Sequence, residues 1–120
     1  MTIRIVLLNA FPVNAIPYEL FTASFRLLTL DDFIRELVNH AVSNRTIVNY
    51  IRHESTIKLI QSRLGNVKID LKPSNELYRY SEDDIIYVIS LKKPIRGQEV
   101  EVKEEDLLIH RVVIAKGVWL

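Results

Sequence analysis

Two strand-length apolar runs constrain the fold of this chain more than any other feature. Residues 85–91 (IIYVISL) are apolar and rich in β-branched side chains, and residues 2–8 (TIRIVLL) are apolar on both faces apart from Arg4. A strand with two apolar faces has to be covered by other elements on at least one side, as happens inside a sheet. We therefore predict that both runs lie inside one sheet, with residues 85–91 at its centre.

Weaker patterns predict further strands. Residues 21–27 and 67–71 alternate apolar with polar side chains, which is typical of strands with one solvent-exposed face. Residues 108–115 predict the last strand of the chain. Together with the two apolar runs, these segments predict a sheet of about five strands.

The clearest helix follows the second predicted strand. Thr29-Leu30-Asp31-Asp32 has the residues of a helix start with acidic side chains in the first turn, and apolar residues follow at helical spacing. His40 falls on the polar flank of this helix, where we expect it to be solvated.

Two shorter helices are predicted next. Asn44 is a candidate cap for a second helix that runs through residues 46–51. Residues 55–64 carry apolar side chains at helical spacing and predict a third helix, with Gly65 as its C-terminal stop.

The size and composition of the chain fit a single domain. The chain has 120 residues, of which 48% are hydrophobic. This is enough to bury one core and too little for two domains. The predicted fold is an α/β single domain over residues 1–120, with a mixed sheet of about five strands flanked by helices.

His53, Ser55 and Thr56 lie at the predicted start of the third helix. The first backbone N–H groups of a helix have no partner inside it and attract anions. A histidine there can bond a phosphate oxygen and transfer a proton near neutral pH, and the two hydroxyl groups are further donors. On these residues alone the alternative is a surface histidine beside a serine cap.

Lys92, Lys93 and Arg96 form a basic segment directly after the predicted central strand. Pro94 and Gly97 indicate a loop. The segment is either an ordinary solvated loop or an arm that brings cations to a phosphate.

Charge and residue usage exclude several classes of function. The formal net charge is +1, so no overall field draws the protein onto duplex DNA or an anionic membrane. The chain has no cysteine, and its three histidines, which include His40 and His110, have no ligand-like spacing. We therefore expect no metal, no cofactor and no disulfide. No apolar run approaches the ~20 residues of a membrane span, so we expect a soluble, intracellular protein.

Residues 8–14 (LNAFPVN) and 51–59 (IRHESTIKL) resemble the signatures of the viral ring nucleases, a small anti-CRISPR family found largely in archaeal viruses. The order of elements and the length agree as well, so the resemblance extends over nearly the whole chain.

This resemblance implies a homodimer that cleaves cyclic tetraadenylate without a metal. The ring is the second messenger of type III CRISPR systems, and linear products with 2′,3′-cyclic phosphate ends would switch that signal off. The substrate's own 2′-hydroxyl would be the nucleophile. The expected location is the cytoplasm of the host, with no membrane or duplex DNA as a partner.

The same resemblance assigns candidate site residues. His53 matches the catalytic histidine of the family, and Ser55 matches a hydroxyl that lies against the nucleotide, with Thr56 beside it. The loop after the first strand lines the pocket in the family. It supplies the further substrate-binding candidates Asn9, Ala10, Phe11 and Pro12.

The sequence departs from the family pattern at three places. Pro12 stands where the family often has a serine, which removes a hydroxyl. Arg52 stands where a glycine usually precedes the histidine, and it either changes the backbone there or is itself a phosphate ligand. Lys92, Lys93 and Arg96 are the candidates for the role of a family arginine, and a glutamate of the following loop has no counterpart.

Two other functions fit the sequence. The protein can be a binding module that sequesters the cyclic nucleotide without cutting it, as Arg52 and the missing glutamate would allow. It can also be a small viral protein that binds nucleic acid or another protein through the basic loop, although a net charge of +1 argues against this.

Overall fold

The computed structural model describes residues 3–93 and 101–117. These residues form one five-stranded sheet with two α-helices on one of its faces. The strands are β1 (Arg4–Leu8), β2 (Phe21–Leu28), β3 (Thr46–Asn49), β4 (Asp84–Leu91) and β5 (Leu107–Lys116). The helices are α1 (Leu30–Val42) and α2 (Glu54–Leu64), and short 3-10 turns cover Val13–Ala15 and Glu104–Asp106.

The sheet is mixed, as predicted. Its strand order is β2-β5-β4-β1-β3, so β4 is the central strand. β1 pairs in parallel with both β3 and β4, whereas β5 is antiparallel to β4 and β2. The prediction of a single α/β domain with a mixed sheet of about five strands is therefore confirmed, and so is the central position of the run at residues 85–91.

The core lies on both faces of the sheet, which explains why β1 and β4 are apolar on both sides. Side chains of alternate residues point to opposite faces of a strand. On one face Ile5 and Ile89 share a buried cluster with the helical residues Phe33 and Ile60. The opposite face is covered in part by loops, and its buried cluster consists of Val6, Leu8, Tyr78, Ile86, Val88 and Val112.

The predicted second helix is wrong, because its residues form β3. Thr46–Asn49 pair with β1 in the register Arg4↔Thr46 to Leu7↔Asn49. Asn44 begins no second helix and instead ends α1: its φ is 57°, its N–H donates to the Ala41 carbonyl and the Arg45 N–H donates to the His40 carbonyl. Asn tolerates this left-handed conformation better than most residues. Three β-branched side chains in a row favour this extended segment, and a neighbouring strand supplies its hydrogen bonds.

The strand predicted at residues 67–71 is also wrong. The side chains alternate in burial as expected, and Leu71 is buried in the core. The backbone, however, belongs to none of the five strands. The described residues of this region form no ladder with the sheet beyond an isolated bridge between Asn49 and Pro73, and proline has no N–H with which to continue one.

His40 is buried and hydrogen-bonded, so its predicted solvation is wrong. Its Nε2 lies 2.9 Å from the Tyr87 hydroxyl, which donates to Glu36 Oε1 at 2.8 Å. Arg45 Nη1 lies 2.9 Å from Nδ1. A guanidinium can only donate, so Nδ1 accepts and Nε2 carries the ring proton.

The same network shifts two pKa values. Burial, reinforced by the Arg45 cation, lowers the pKa of His40 and keeps the ring neutral. Burial and the hydrogen bond to Glu36 raise the pKa of Tyr87. Arg111 donates to the same Glu36 oxygen at 2.7 Å, so the network joins α1 to β4 and β5.

Both helices are short compared with a membrane-spanning helix. α1 has 13 residues and α2 has 11. Among the residues that the structure describes, no helix is long and apolar enough to cross a membrane.

Candidate functional site at the carboxyl ends of the parallel strands

Three sequence-predicted segments meet at one end of the sheet. Because β1, β3 and β4 are parallel neighbours, their carboxyl ends lie side by side. Asn9 follows β1, Tyr50 follows β3 and Lys92 follows β4. This end of a parallel sheet is where ligands commonly bind in α/β folds. Arg96, the other basic candidate, lies outside the described residues.

Asn49 shapes the chain between β3 and α2. Its side chain is buried, its amide nitrogen donates to the carbonyls of Ile51 and Leu71, and its Oδ1 accepts from the Ile51 N–H. The three bonds fix the turn that delivers the backbone to His53. Asn49 is not among the residues predicted from the sequence, because residues 46–51 are predicted there to be helical. The signal that identifies it is a lone asparagine at the end of a β-branched run.

His53 is the N-cap of α2. Its φ of −67° and ψ of 107° are extended, and its Nδ1 accepts from the Thr56 backbone N–H at 3.3 Å. The helix therefore begins at Glu54, and the serine cap considered at Ser55 is not present. Nε2 of His53 makes no hydrogen bond to any residue in the described part of the chain.

The first turn of α2 supplies backbone donors. The first intrahelical bond runs from the Ile57 N–H to the His53 carbonyl, so the N–H groups of Glu54 and Ser55 precede the helical ladder. These two donors and the N-terminal end of the helix dipole lie beside His53, an arrangement that suits an anion.

The two hydroxyl groups after His53 have different surroundings. Ser55 Oγ accepts from the Val102 backbone N–H at 2.7 Å, which ties α2 to the segment before β5. Thr56 is 3% exposed and its Oγ1 lies 3.0 Å from His53 Nδ1. Neither hydroxyl is therefore an uncommitted group at the surface.

Arg52 is exposed and partly engaged. Its Nη2 donates to the Ser74 carbonyl at 2.8 Å, which holds the loop after residue 71 against the start of α2. A guanidinium has five donor hydrogens in a planar fork. The bond to Ser74 uses one nitrogen, so the group can also donate to an anion beside His53.

The remaining candidates lie on loops at the same end. Asn9 and Ala10 are exposed, whereas Phe11 and Pro12 are half-buried. The Phe11 ring packs edge-to-face on Phe25, with centroids 5.2 Å apart, so Phe11 anchors its loop to the sheet. Lys92 and Lys93 are exposed.

A cavity of about 670 Å³ lies at the opposite end of the sheet, near the start of β4. Its size is within the usual range for ligand pockets, but none of the candidate residues lines it. Its wall includes His40, Tyr87, Glu36 and Arg111, which are bonded to one another as described above. The candidate site around His53 therefore lies away from this cavity. Within the described ranges, no three His, Asp or Glu side chains cluster as metal ligands.

Asn49→Ala is expected to lower the free energy of unfolding by roughly 1–3 kcal/mol, because it leaves the buried Ile51 N–H without its acceptor. Thermal unfolding measures the loss. Asn75→Ala, at an exposed position of the neighbouring loop, is the matched control and should leave the melting temperature nearly unchanged. Equal melting temperatures for the two variants would contradict the role given to Asn49.

Comparison with known proteins supports the fold. No protein-family model matches the sequence, and no curated protein matches it either. Among solved structures, the chain is similar to B116 of Sulfolobus turreted icosahedral virus (STIV), with a TM-score of 0.69. The alignment covers 91% of this chain and 97% of that chain at 22% sequence identity. At this identity the similarity establishes a shared fold, and function has to be argued from the site.

Proposed function

We propose that the protein is a metal-independent ring nuclease that opens cyclic tetraadenylate and thereby blocks type III CRISPR signalling. The observation that carries the proposal is the position of His53. The histidine caps α2 after the carboxyl end of β3, at the end of the sheet where the neighbouring strand β1 leads into the loop that begins at Asn9, and its Nε2 is unbonded within the described residues. Both motifs of the resemblance thus fall at one end of the sheet.

The comparison agrees with a viral origin. The structurally similar protein B116 belongs to a virus of Sulfolobus, and the resemblance in sequence is to proteins of archaeal viruses. We propose on this basis that the chain is a viral protein that acts in the cytoplasm of an archaeal host.

Anion binding is the first task of the proposed site. The N–H groups of Glu54 and Ser55 and the helix dipole would hold one phosphate of the ring. Arg52, Lys92 and Lys93 add positive charge around it. These groups also stabilise the extra negative charge that develops on the phosphoryl oxygens in the transition state.

The chemical step uses a nucleophile from the substrate. The ribose 2′-oxygen attacks the adjacent phosphorus and loses its proton to solvent, while the bond from phosphorus to the 5′-oxygen breaks. Imidazolium His53 gives its Nε2 proton to the departing 5′-oxygen. The products are a linear chain with a 2′,3′-cyclic phosphate and a free 5′-hydroxyl, and holding the reacting groups in line supplies much of the acceleration.

We propose that a homodimer binds one ring. Cyclic tetraadenylate has rotational symmetry, and a two-fold dimer presents the same site twice to one ligand. Each ring would then be cut at one or two equivalent bonds.

Incubation with cyclic tetraadenylate in excess chelator, followed by chromatography, tests the proposal. We expect linear products with 2′,3′-cyclic phosphate ends at the same rate with and without chelator, because the proposed step uses only the substrate's hydroxyl and His53. A ring that remains intact after long incubation with excess protein would contradict the enzymatic proposal.

Sequestration without cleavage is the second candidate function. Arg52, which stands where the family usually has a glycine, and the missing glutamate of the basic loop favour it. Stoichiometric, tight binding of an intact ring would establish this function. Saturable binding to duplex DNA, with no affinity for the ring, would instead support a nucleic-acid-binding protein.

Replacing Lys92, Lys93 and Arg96 together with alanine is expected to weaken ring binding about tenfold or more, because charge-assisted bonds to phosphates are lost. Affinity is best measured in a His53→Asn background, which keeps the ring intact. The loss should be larger at low salt, where screening is weaker.

A charge-matched control separates a local effect from a change in net charge. Three exposed basic residues away from the candidate site, Arg35, Lys68 and Lys116, can be replaced together. This control should retain most of the affinity. Equal losses in both triple variants would contradict a specific role for the basic segment.

A further inference from the structure

We infer that the Thr56 hydroxyl is a positioning group for His53, which holds the ring so that Nε2 is the nitrogen that faces the ligand. This inference deepens the proposed function, and its kinetic part rests on it. The structural part, the tautomer and orientation of the imidazole, can be measured without any substrate.

Two groups of Thr56 lie within hydrogen-bond distance of the same nitrogen of the His53 ring. The backbone N–H lies 3.3 Å from His53 Nδ1, and the side-chain Oγ1 lies 3.0 Å from it. The N–H can only donate, so the neutral ring must accept at Nδ1 and carry its proton on Nε2. The hydroxyl is the closer of the two groups and, being rotatable, is the one that can change its role.

The change of role matters when the ring is protonated. The imidazolium carries a proton on both nitrogens, and its Nδ1–H can no longer accept from the backbone N–H. The Thr56 oxygen can then accept from Nδ1–H without movement of the ring. One hydroxyl thus serves the neutral ring as a donor and the imidazolium as an acceptor, as a general acid that cycles between both forms requires.

Burial excludes a direct role for Thr56 in holding substrate. The residue is 3% exposed, and its described side-chain bond is to His53. A group that is inaccessible to the ligand acts on the ligand only through its neighbour. Thr56, predicted from the sequence as a substrate-binding residue, is therefore assigned as a positioning residue.

Thr56→Val isolates the hydroxyl. Valine has nearly the same shape and keeps the backbone N–H that caps the helix, so the fold and the cap are retained. Thr56→Ser restores the hydroxyl and lacks only the methyl group. Ser62→Ala is the matched control: it removes a hydroxyl from the exposed side of α2, where the oxygen donates to the Leu59 carbonyl.

Nitrogen chemical shifts of the histidine rings test the structural part. For the wild type at a pH where the ring is neutral, we expect a protonated Nε2 and an unprotonated Nδ1 at His53, with the signal assigned by its loss in His53→Asn. In Thr56→Val, where only the longer bond from the backbone N–H remains at Nδ1, we expect shifts partly averaged between the two tautomers, and in Thr56→Ser the wild-type pattern. A wild-type ring protonated at Nδ1, or a Thr56→Val spectrum identical to the wild type, would overturn the inference.

Single-turnover cleavage tests the kinetic part. Thr56→Val should lower the rate about 3- to 10-fold, the value of one hydrogen bond, with ring affinity unchanged within about twofold. Thr56→Ser should recover most of the rate, and Ser62→Ala should retain it. A folded Thr56→Val protein with the wild-type rate would overturn the inference. A wild type that cleaves nothing would remove the proposed function instead, and the nitrogen shifts would still decide whether Thr56 holds the ring.

Discussion

His53→Asn is expected to fold as stably as the wild type and to lose on the order of 10²-fold or more in single-turnover cleavage of cyclic tetraadenylate. Asparagine is among the best N-cap residues, so its side-chain oxygen can replace Nδ1 as the acceptor for the Thr56 N–H. It cannot give a proton to the departing 5′-oxygen. Affinity for the ring should change little, since the helix start and the basic residues still hold the phosphates.

His53→Ala is the companion variant that separates the two roles of the residue. Alanine removes the proton donor and the cap together, so we expect the same loss of rate and, in addition, a loss of about 1 kcal/mol in the free energy of unfolding. Melting temperature and single-turnover rate are measured side by side. A folded His53→Asn variant with the wild-type rate would end the mechanism proposed for this site.

These two variants are needed because structural and catalytic roles coincide at His53. From the sequence, a cap and a proton donor were competing explanations, and the cap was placed at Ser55. The structure shows that the histidine ring itself is the cap, through Nδ1, and leaves Nε2 for chemistry. The structural role of His53 needs only Nδ1, whereas the catalytic role needs Nε2. The asparagine variant keeps an acceptor for the cap and removes Nε2.

Much of the fold could be predicted because its signals are local. β1 and β4 are long apolar runs, β2 and β5 have strand composition, and α1 has a clear start and a strong helical period. The structure contains each of these elements within a few residues of the prediction.

The errors concern features that depend on distant residues. Residues 46–49 are too few to show a period, and they become a strand because β1 offers a free edge. Residues 67–71 have a strand's alternation but find no partner edge. His40 has a polar position on α1, yet Tyr87, 47 residues away in the chain, gives it a buried partner. Whether such a segment becomes a strand, or such a side chain is buried, depends on which distant residues pack against it. A single sequence does not show that.

The candidate site was predictable in its residue types and less so in its arrangement. The motifs led to His53 and to the loop that begins at Asn9, and the topology places both at one end of the sheet. Ser55 and Thr56 were predicted as ligand contacts from their spacing, which did not show that the Ser55 oxygen accepts from the Val102 N–H or that Thr56 Oγ1 lies 3.0 Å from His53 Nδ1. Hydroxyl groups have many possible partners, so spacing in the sequence does not reveal which one they meet.

Asp84→Asn is expected to lower the free energy of unfolding by about 3 kcal/mol, because it removes the charge of a buried carboxylate that is paired with the partly exposed Arg4. The Asp84 side chain is 1% exposed and accepts from Arg4 at 2.7 and 2.9 Å. It also accepts from the Tyr78 hydroxyl at 2.7 Å and from the Ser81 N–H at 3.0 Å. Asparagine keeps the size of the side chain and loses the charge that these donors surround. In a chain of this size the melting temperature should fall by on the order of 10 °C.

The pH dependence of this loss follows from the pKa of Asp84. Burial alone would raise that pKa, but the hydrogen bonds from Arg4, Tyr78 and Ser81 outweigh it and hold the pKa below its ordinary value. A depressed pKa in the folded state means that the carboxylate stabilises the fold above the unfolded value, about 4. This contribution disappears as the pH falls through the lower folded value.

The stability gap between the wild type and Asp84→Asn should therefore be constant at neutral pH and narrow below a pH of about 4. Denaturant unfolding at a series of pH values measures the gap directly. Glu82→Gln, which removes a carboxylate from an exposed neighbouring position, should cost little at any pH because surface charges contribute little. A gap that stays constant into strong acid would show that the loss in Asp84→Asn comes from packing and not from the charge, and the ion pair with Arg4 would then not be what joins the starts of β1 and β4.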